Sequence, residues 1–197
     1  MSGDAIIKRH RRNYDGFFKI DELDVSFVGG AGRTVEQTRE VFERGDAVAA
    51  LLLNLDSNSV VLVEQFRVPA LIGRRRDEPA SADGWMTETV AGMIDPGDET
   101  PEAAVIRETR EETGYQIRHP RLIAKFFSSP GGSSERIFLY FAEVRDRDRV
   151  EKGGGLEDED VKLVHLALPA LLDRLAAGSI EDPKLLIAAC WLRSHLQ

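Results

Sequence analysis

The chain has 197 residues, 42% hydrophobic and 30% charged, which is long enough for a domain with a buried core and too apolar for a disordered chain. The formal net charge of −8 and the pI of about 5.1 exclude a generally basic nucleic-acid-binding surface. We therefore expect no nucleic acid partner.

Cysteine content and hydropathy indicate the compartment. Cys190 is the single cysteine, so an intrachain disulfide is impossible, and its apolar surroundings predict a buried thiol in a helix. The longest strongly apolar stretch, residues 47–53, is much too short to span a bilayer. The basic N-terminus lacks the apolar segment of a signal peptide. These features predict a cytoplasmic protein that does not associate with membranes.

The first 45 residues predict a small N-terminal β region. Residues 17–20 and 23–28 alternate between apolar and polar side chains, which indicates short, half-buried strands. Two or three strands bury little surface by themselves, so we expect this region to pack on the main domain or on another subunit. We interpret the basic cluster at residues 8–12 as solvated surface charge.

Residues 46–197 predict the main domain. Strand-like runs occupy residues 47–53, 60–63, 86–91, 122–127, 137–144 and 161–166. A helix is predicted between Thr100, which can cap its N-terminus before Pro101, and Gly114, which can end it. Two short helices follow at about 169–177 and 183–195. This order predicts an α/β (or α+β) fold, a mixed β-sheet between helices.

The predicted helix after Thr100 carries a cluster of carboxylates. Each helical residue advances by about 100°, so Glu108, Glu111 and Glu112 share one face, while Ile106 and Thr113 lie roughly opposite. Such a charged face is usually just solvated, and like charges at this spacing cost stability. A cluster of hard oxygen ligands, however, suits Mg²⁺ or Mn²⁺.

A longer pattern surrounds this helix. It consists of Gly92, Glu99, Arg107-Glu108, Glu111-Glu112 and Gly114-Tyr115. The pattern resembles the Nudix box, G-x5-E-x7-R-E-U-x-E-E-x-G-U, where U is aliphatic or bulky. Two departures occur: six residues separate Gly92 from Glu99, and Thr109 replaces an aliphatic residue. The longer loop leaves both Asp98 and Glu99 as candidates for the first box glutamate.

The resemblance implies a metal-dependent hydrolase of nucleoside diphosphates linked to another group, with Mg²⁺ as the cofactor and Mn²⁺ as a substitute. Glu108 and Glu112 match the principal metal ligands, and Glu111 matches a further ligand or catalytic group. The backbone carbonyl of Ala91 would also face the metal. Arg107 and Glu99 would organise these ligands.

Segments outside the box resemble the ADP-ribose pyrophosphatase branch of the family. Ser129-Pro130-Gly131-Gly132 matches its Ser-Pro-Gly signature, and the acidic residues 157–160 lie where the branch has a catalytic loop. The resemblance makes Glu157 the general base, with Glu159 as a metal ligand or the alternate base. It assigns substrate binding to five residues: Arg67 on a phosphate, Glu135 on sugar hydroxyls, and Ser129, Gly131 and Glu88.

The substrate expected from this resemblance is ADP-ribose, hydrolysed to AMP and ribose 5-phosphate. GDP-mannose or another nucleotide sugar is the alternative, because the triple glycine at 153–155 also resembles the GDP-mannose pyrophosphatases. A non-catalytic module that binds a nucleotide sugar is a third reading, which the complete set of box carboxylates disfavours. The branch implies a homodimer whose N-terminal β region is exchanged between subunits, with a monomer as the alternative.

Overall fold

The computed structural model describes residues 5–77, 80, 82–95, 97, 100–155 and 160–196. The predicted site residues Glu99, Glu157 and Glu159, and the alternative Asp98, lie outside this part of the chain. The chain divides into two compact units: Met1–Asp46 with Phe126–Ile137, and Ala47–Lys125 with Phe138–Gln197.

The first unit contains a three-stranded antiparallel sheet. Its strands are β1 (Ile6–Asp15), β2 (Lys19–Val28) and β3 (Thr34–Glu43), in the order β1-β2-β3. The strands are longer than the alternation predicted, and β1 is exposed along its whole length. The basic cluster lies on this exposed strand, as expected, and its side chains pair with acidic residues of β2 and β3.

A seven-stranded sheet with four helices makes up the rest of the described chain, which confirms the predicted α/β class. The elements are β4 (Ala47–Asn54), β5 (Ser59–Phe66), α1 (Val68–Arg74), β6 (Trp85–Glu88), β7 (Val90–Met93), α2 (Pro101–Thr113), β8 (Arg121–Phe127), β9 (Arg136–Val144), β10 (Lys162–Ala167), α3 (Leu168–Ala177) and α4 (Pro183–His195). The central order of the sheet is β10-β5-β4-β9-β8, with β6 on β5 and β7 on β4.

The core of the second unit forms where α2 packs on the sheet. Every residue of β4 is buried, because its continuous apolar run has both faces covered. Val48 and Leu52 of this strand belong to one cluster with Val63 of β5 and with Ala104 and Val105 of α2. This packing fixes the helix that carries the predicted metal ligands.

The ends of α2 confirm the sequence prediction. The Thr100 hydroxyl accepts a hydrogen bond from the Ala103 N–H at 3.1 Å, and Pro101 is the first helical residue. Gly114 ends the helix with φ of 76°, a left-handed conformation that glycine adopts at little cost. Within the described residues, no helix is long and apolar enough to cross a membrane.

Two predictions about local structure were wrong. The run 86–91 is two strands rather than one, since β6 and β7 pair with different neighbours and Thr89 lies between them. Cys190 is exposed rather than buried. Helix α4 buries Leu185, Ala188, Ala189 and Leu192 instead, and position 190 falls outside that face.

Candidate active site

One carboxylate of α2, Glu112, lies against the sheet. Glu112 is only 4% exposed, so it is not part of the solvated face that charged residues of a helix usually form. Its Oε1 accepts a hydrogen bond from Gln65 Nε2 at 3.3 Å, and its Oε2 accepts one from the Ala91 N–H at 3.2 Å. The helix therefore holds Glu112 between β5 and β7, which accounts for the burial of a charged side chain through polar contacts.

Arg107 connects two of the predicted ligands. Its Nη1 donates to Glu108 Oε1 at 2.7 Å and to Glu111 Oε2 at 3.1 Å. Its Nη2 donates to the Met93 carbonyl at 3.1 Å, at the end of β7. One guanidinium thus offsets the repulsion between neighbouring carboxylates and ties α2 to the strand beside it.

Gly92 is required by a close approach of Glu108. A Cβ placed on Gly92 would lie 1.9 Å from Glu108 Cδ, so any other residue here would displace the carboxyl group. Glu108 consequently lies against the backbone of β7, next to Ala91. This contact supplies a packing reason for the glycine that begins the box.

The donor chemistry of this face fits a divalent cation. Glu108, Glu111 and Glu112 offer hard carboxylate oxygens on one side of a helix, the ligand type that Mg²⁺ prefers. Within the described residues, no three His, Cys, Asp or Glu side chains, Glu108, Glu111 and Glu112 included, are grouped closely enough to hold a metal ion. The predicted contributions of Glu99 and Glu159 lie outside the described residues, and the metal assignments stay predictions.

A cavity of about 560 Å³ runs along α2. Arg107 and Glu111 line it together with Arg110, Gln116 and Glu151. Part of the box is therefore reachable from solution, while Glu112 is held deeper against the sheet.

A second group of charges surrounds Arg67. Arg67 Nε donates to Glu88 Oε2 at 2.8 Å, and 42% of the Arg67 side chain is exposed. Lys184 Nζ lies 3.4 Å from Glu88 Oε1 and 2.7 Å from Asp182 Oδ1. The carboxylate of Asp182 also accepts hydrogen bonds from the Thr89 and Leu185 N–H groups. The buried carboxylate of Glu88 therefore holds the exposed guanidinium of Arg67 in one orientation.

Lys184 and Asp182 were missed at the sequence level. Asp182 stands before a proline at a helix start, which is a capping signal, and it does cap α4. Nothing in the sequence linked Lys184 to Glu88, because these two residues meet only through the packing of α4.

The remaining predicted substrate residues belong to the first unit. Ser129 and Gly131 lie in a turn in which the Ser129 carbonyl accepts the Gly132 and Ser133 N–H groups. Glu135 is 8% exposed, and its Oε1 lies 3.2 Å from Arg44 Nε. Their assignment to substrate binding stays a prediction.

Known proteins resemble this chain along its whole length. The NUDIX domain profile matches residues 43–184. The chain is 35% identical over 197 residues to the GDP-mannose pyrophosphatase of Salmonella arizonae, covering 100% of this chain and 99% of that protein. It is 33% identical over 183 residues to the GDP-mannose pyrophosphatase of Cronobacter sakazakii, covering 93% and 90%. The corresponding protein of Salmonella typhimurium is 34% identical over 183 residues, with 92% of each chain covered.

The chain belongs to the Nudix family. This confirms the family predicted from the box and, with it, the prediction of a Nudix hydrolase.

Proposed function

We propose that this protein hydrolyses the pyrophosphate of GDP-mannose, releasing GMP and mannose 1-phosphate. The names of relatives aligned over nearly the full chain support this substrate. They favour the alternative drawn from the triple glycine over ADP-ribose, the substrate expected first. ADP-ribose stays as the second candidate because the Ser129–Gly132 segment resembles both groups.

The single observation that carries a hydrolytic function is the arrangement around Arg107. Glu108 and Glu111 share one of its nitrogen atoms, and Glu112 is held against β7 one turn further along α2. Three neighbouring carboxylates, one of them buried, cost folding stability, and we interpret them as a ligand set.

Glu108, Glu111 and Glu112 would hold Mg²⁺, with the Ala91 carbonyl as a further ligand. When bound, the cation would neutralise phosphate charge and lower the pKa of a bound water. Arg107 keeps two carboxylates oriented for this task, and Gly92 leaves the space that the Glu108 carboxyl occupies.

Other side chains act on the substrate directly. Arg67 binds a phosphate oxygen, because its guanidinium is exposed while Glu88 fixes its Nε. A general base removes a proton from the attacking water. Glu157 has this role, with Glu159 as the alternative. Glu135 accepts hydrogen bonds from sugar hydroxyls.

A substrate panel tests this proposal. The purified protein is incubated with GDP-mannose, ADP-ribose, ADP-glucose, NADH and 8-oxo-dGTP, with Mg²⁺ and again with EDTA, and nucleotide products are quantified. We expect the highest kcat/KM for GDP-mannose and no turnover with EDTA. A higher kcat/KM for ADP-ribose would reverse the order of the two candidates. Tight binding of a nucleotide sugar by a folded protein without turnover would instead support a non-catalytic module.

We also propose that the protein is a homodimer formed through its N-terminal sheet. The support is the exposed edge strand β1, in which Ile6, Ile7 and Tyr14 are about 60% exposed. Sedimentation equilibrium should give twice the chain mass. A monomer at micromolar concentration would contradict this assignment without affecting the proposed chemistry.

A further inference from the structure

The glycines at 153–155 are bonded to the end of the carboxylate helix. The Gly154 N–H donates to the Glu112 carbonyl at 2.8 Å, and the Gly155 N–H donates to the Glu111 carbonyl at 3.1 Å. The last carbonyls of a helix have no partner inside the helix, so these two bonds satisfy groups that would otherwise need water. They also attach the glycine segment directly to two of the proposed metal ligands.

All three glycines have backbone angles that other residues rarely adopt. Their φ values are 70°, 116° and 79° for Gly153, Gly154 and Gly155. Three consecutive positive φ angles are costly for any residue with a Cβ. The segment needs this conformation to present two successive N–H groups to the helix end.

Gly153 and Gly114 allow the two backbones to touch. A Cβ on Gly153 would lie 2.5 Å from the Thr113 carbonyl carbon and 2.7 Å from the Glu112 carbonyl oxygen. A Cβ on Gly114 would lie 2.0 Å from the Glu151 carbonyl oxygen. Because these obstacles are backbone atoms, no side-chain rearrangement could relieve them. Gly114 therefore does more than end the helix.

Neighbouring contacts hold the same segment in register. The Val150 N–H donates to the Gly114 carbonyl at 2.8 Å, and the Gln116 N–H donates to the Asp148 carbonyl at 2.8 Å. Arg110, on the third turn of α2, donates through Nε to Glu151 at 2.9 Å. Residues 148–155 are thus bonded at several points to the C-terminal end of α2 and the residues that follow it.

We propose that Gly153, Gly154 and Gly155 are positioning residues for the hydrolysis, which dock the segment preceding the acidic residues onto the metal-binding helix. This inference rests on the proposed function. The sequence places Glu157 only two residues after Gly155, so a Gly155 held at the Glu111 carbonyl limits how far Glu157 can lie from the helix. The base and the metal ligands can then act on one substrate.

A matched pair of glycine substitutions tests the proposal. Gly178 ends α3 with φ of 67°, close to that of Gly153, but its Cβ would meet nothing within 4 Å. Gly178→Ala therefore reproduces the backbone penalty without the contact on α2. We expect Gly153→Ala to lower kcat by ~100-fold, the effect of an ångström-scale misplacement of a catalytic group. KM and Mn²⁺ affinity should change less than about threefold, because the clash should displace the glycine segment and not α2, which is packed into the core.

A double-mutant cycle separates positioning from general damage. Gly153→Ala is combined with Glu157→Gln or Glu159→Gln, whichever lowers kcat more by itself. A positioning role predicts that Gly153→Ala costs far less in that background, since the group it places is already lost. Circular dichroism and Tm establish that each variant is folded. If Gly153→Ala does not fold, Gly154→Ala replaces it, because alanine disfavours the φ of 116° at this position while its Cβ would meet no atom nearer than 3.9 Å.

The outcomes are distinguishable. A wild-type protein without metal-dependent turnover would overturn the proposed function and, with it, this inference. An active wild type whose Gly153→Ala variant loses no more kcat than Gly178→Ala would overturn the positioning role alone. Equal losses from Gly153→Ala in both backgrounds would overturn it as well.

Discussion

The two sheets of this protein are stabilised by different forces. Strand β4 is buried at every residue and is almost wholly apolar, whereas β1 is exposed at every residue and consists largely of charged side chains. The seven-stranded sheet thus gains stability from burial, which is worth about 25 cal/mol per Å² of apolar surface. The N-terminal sheet relies on backbone pairing and on surface ion pairs, each worth about 1 kcal/mol or less.

This difference is consistent with the position of the proposed metal ligands, which lie on the helix that packs on the seven-stranded sheet. A helix that carries three neighbouring carboxylates needs a support whose stability exceeds the repulsion between them. The cluster formed by β4, β5 and α2 provides it. The N-terminal sheet could not, since no residue of β1 is buried. The following predictions test this division, beginning with the largest effect.

The largest effect is expected from removing a charge in the supported site. Glu112→Gln should lower kcat by ~100-fold or more while the protein stays folded, because a neutral amide is a poor ligand for a hard cation. Glu36→Gln is the matched control in β3, where the carboxylate is exposed and pairs with Lys8. Its kcat should equal that of the wild type. Near-normal turnover by folded Glu112→Gln would refute the metal assignment.

Core truncation should separate the two sheets by stability. Leu52→Ala in β4 should lower the free energy of unfolding by about 3 kcal/mol, because Leu52 is fully buried. Val28→Ala in β2 should change it by less than about 0.5 kcal/mol, since Val28 is 51% exposed. Urea denaturation followed by tryptophan fluorescence and circular dichroism measures both. Equal effects would contradict the division.

A buried hydroxyl group on α2, which makes no hydrogen bond in the described part of the chain, can be replaced by an apolar side chain. Thr109 is fully buried, and within the described residues its hydroxyl has no hydrogen-bond partner. Thr109→Val should therefore raise the free energy of unfolding by about 1 kcal/mol. Thr113→Val is the contrasting variant, because the Thr113 hydroxyl donates to the Thr109 carbonyl and accepts from the Tyr115 N–H. It should be destabilised, and a loss of stability in both variants would refute the explanation.

The smallest effect concerns the ion pairs of the N-terminal sheet. Hydrogen bonding from Arg12 lowers the pKa of Asp21 from 3.8 to about 2. The ionised form is the one stabilised, so its contribution is complete above pH 3.8 and is lost as the pH falls through about 2. The protection factors for amide hydrogen exchange in β1 and β2, which correct for the pH dependence of intrinsic exchange, should therefore fall over this window. Asp21→Asn should remove this pH dependence of hydrogen exchange. If the variant keeps the same pH dependence, another titrating group causes it.

Local signals determined much of this protein. The capping residue Thr100, Pro101 and Gly114 fixed the ends of α2, and the periodicity of Glu108, Glu111 and Glu112 placed these carboxylates on one face. These features act within a few residues, so the sequence predicts them well. The residues of the Nudix box and their spacing were also sufficient to predict the family correctly.

Tertiary structure decided what those residues contact. The sequence could not indicate that Glu112 is buried while Glu111 is partly exposed, because helix periodicity gives the angles between side chains but not where the sheet lies around the helix. It did not reveal that Lys184 reaches Glu88, or that Gly153 and Gly114 meet Thr113 and Glu151. These contacts join segments far apart in the chain, and only the packing of α2 and α4 on the sheet brings them together.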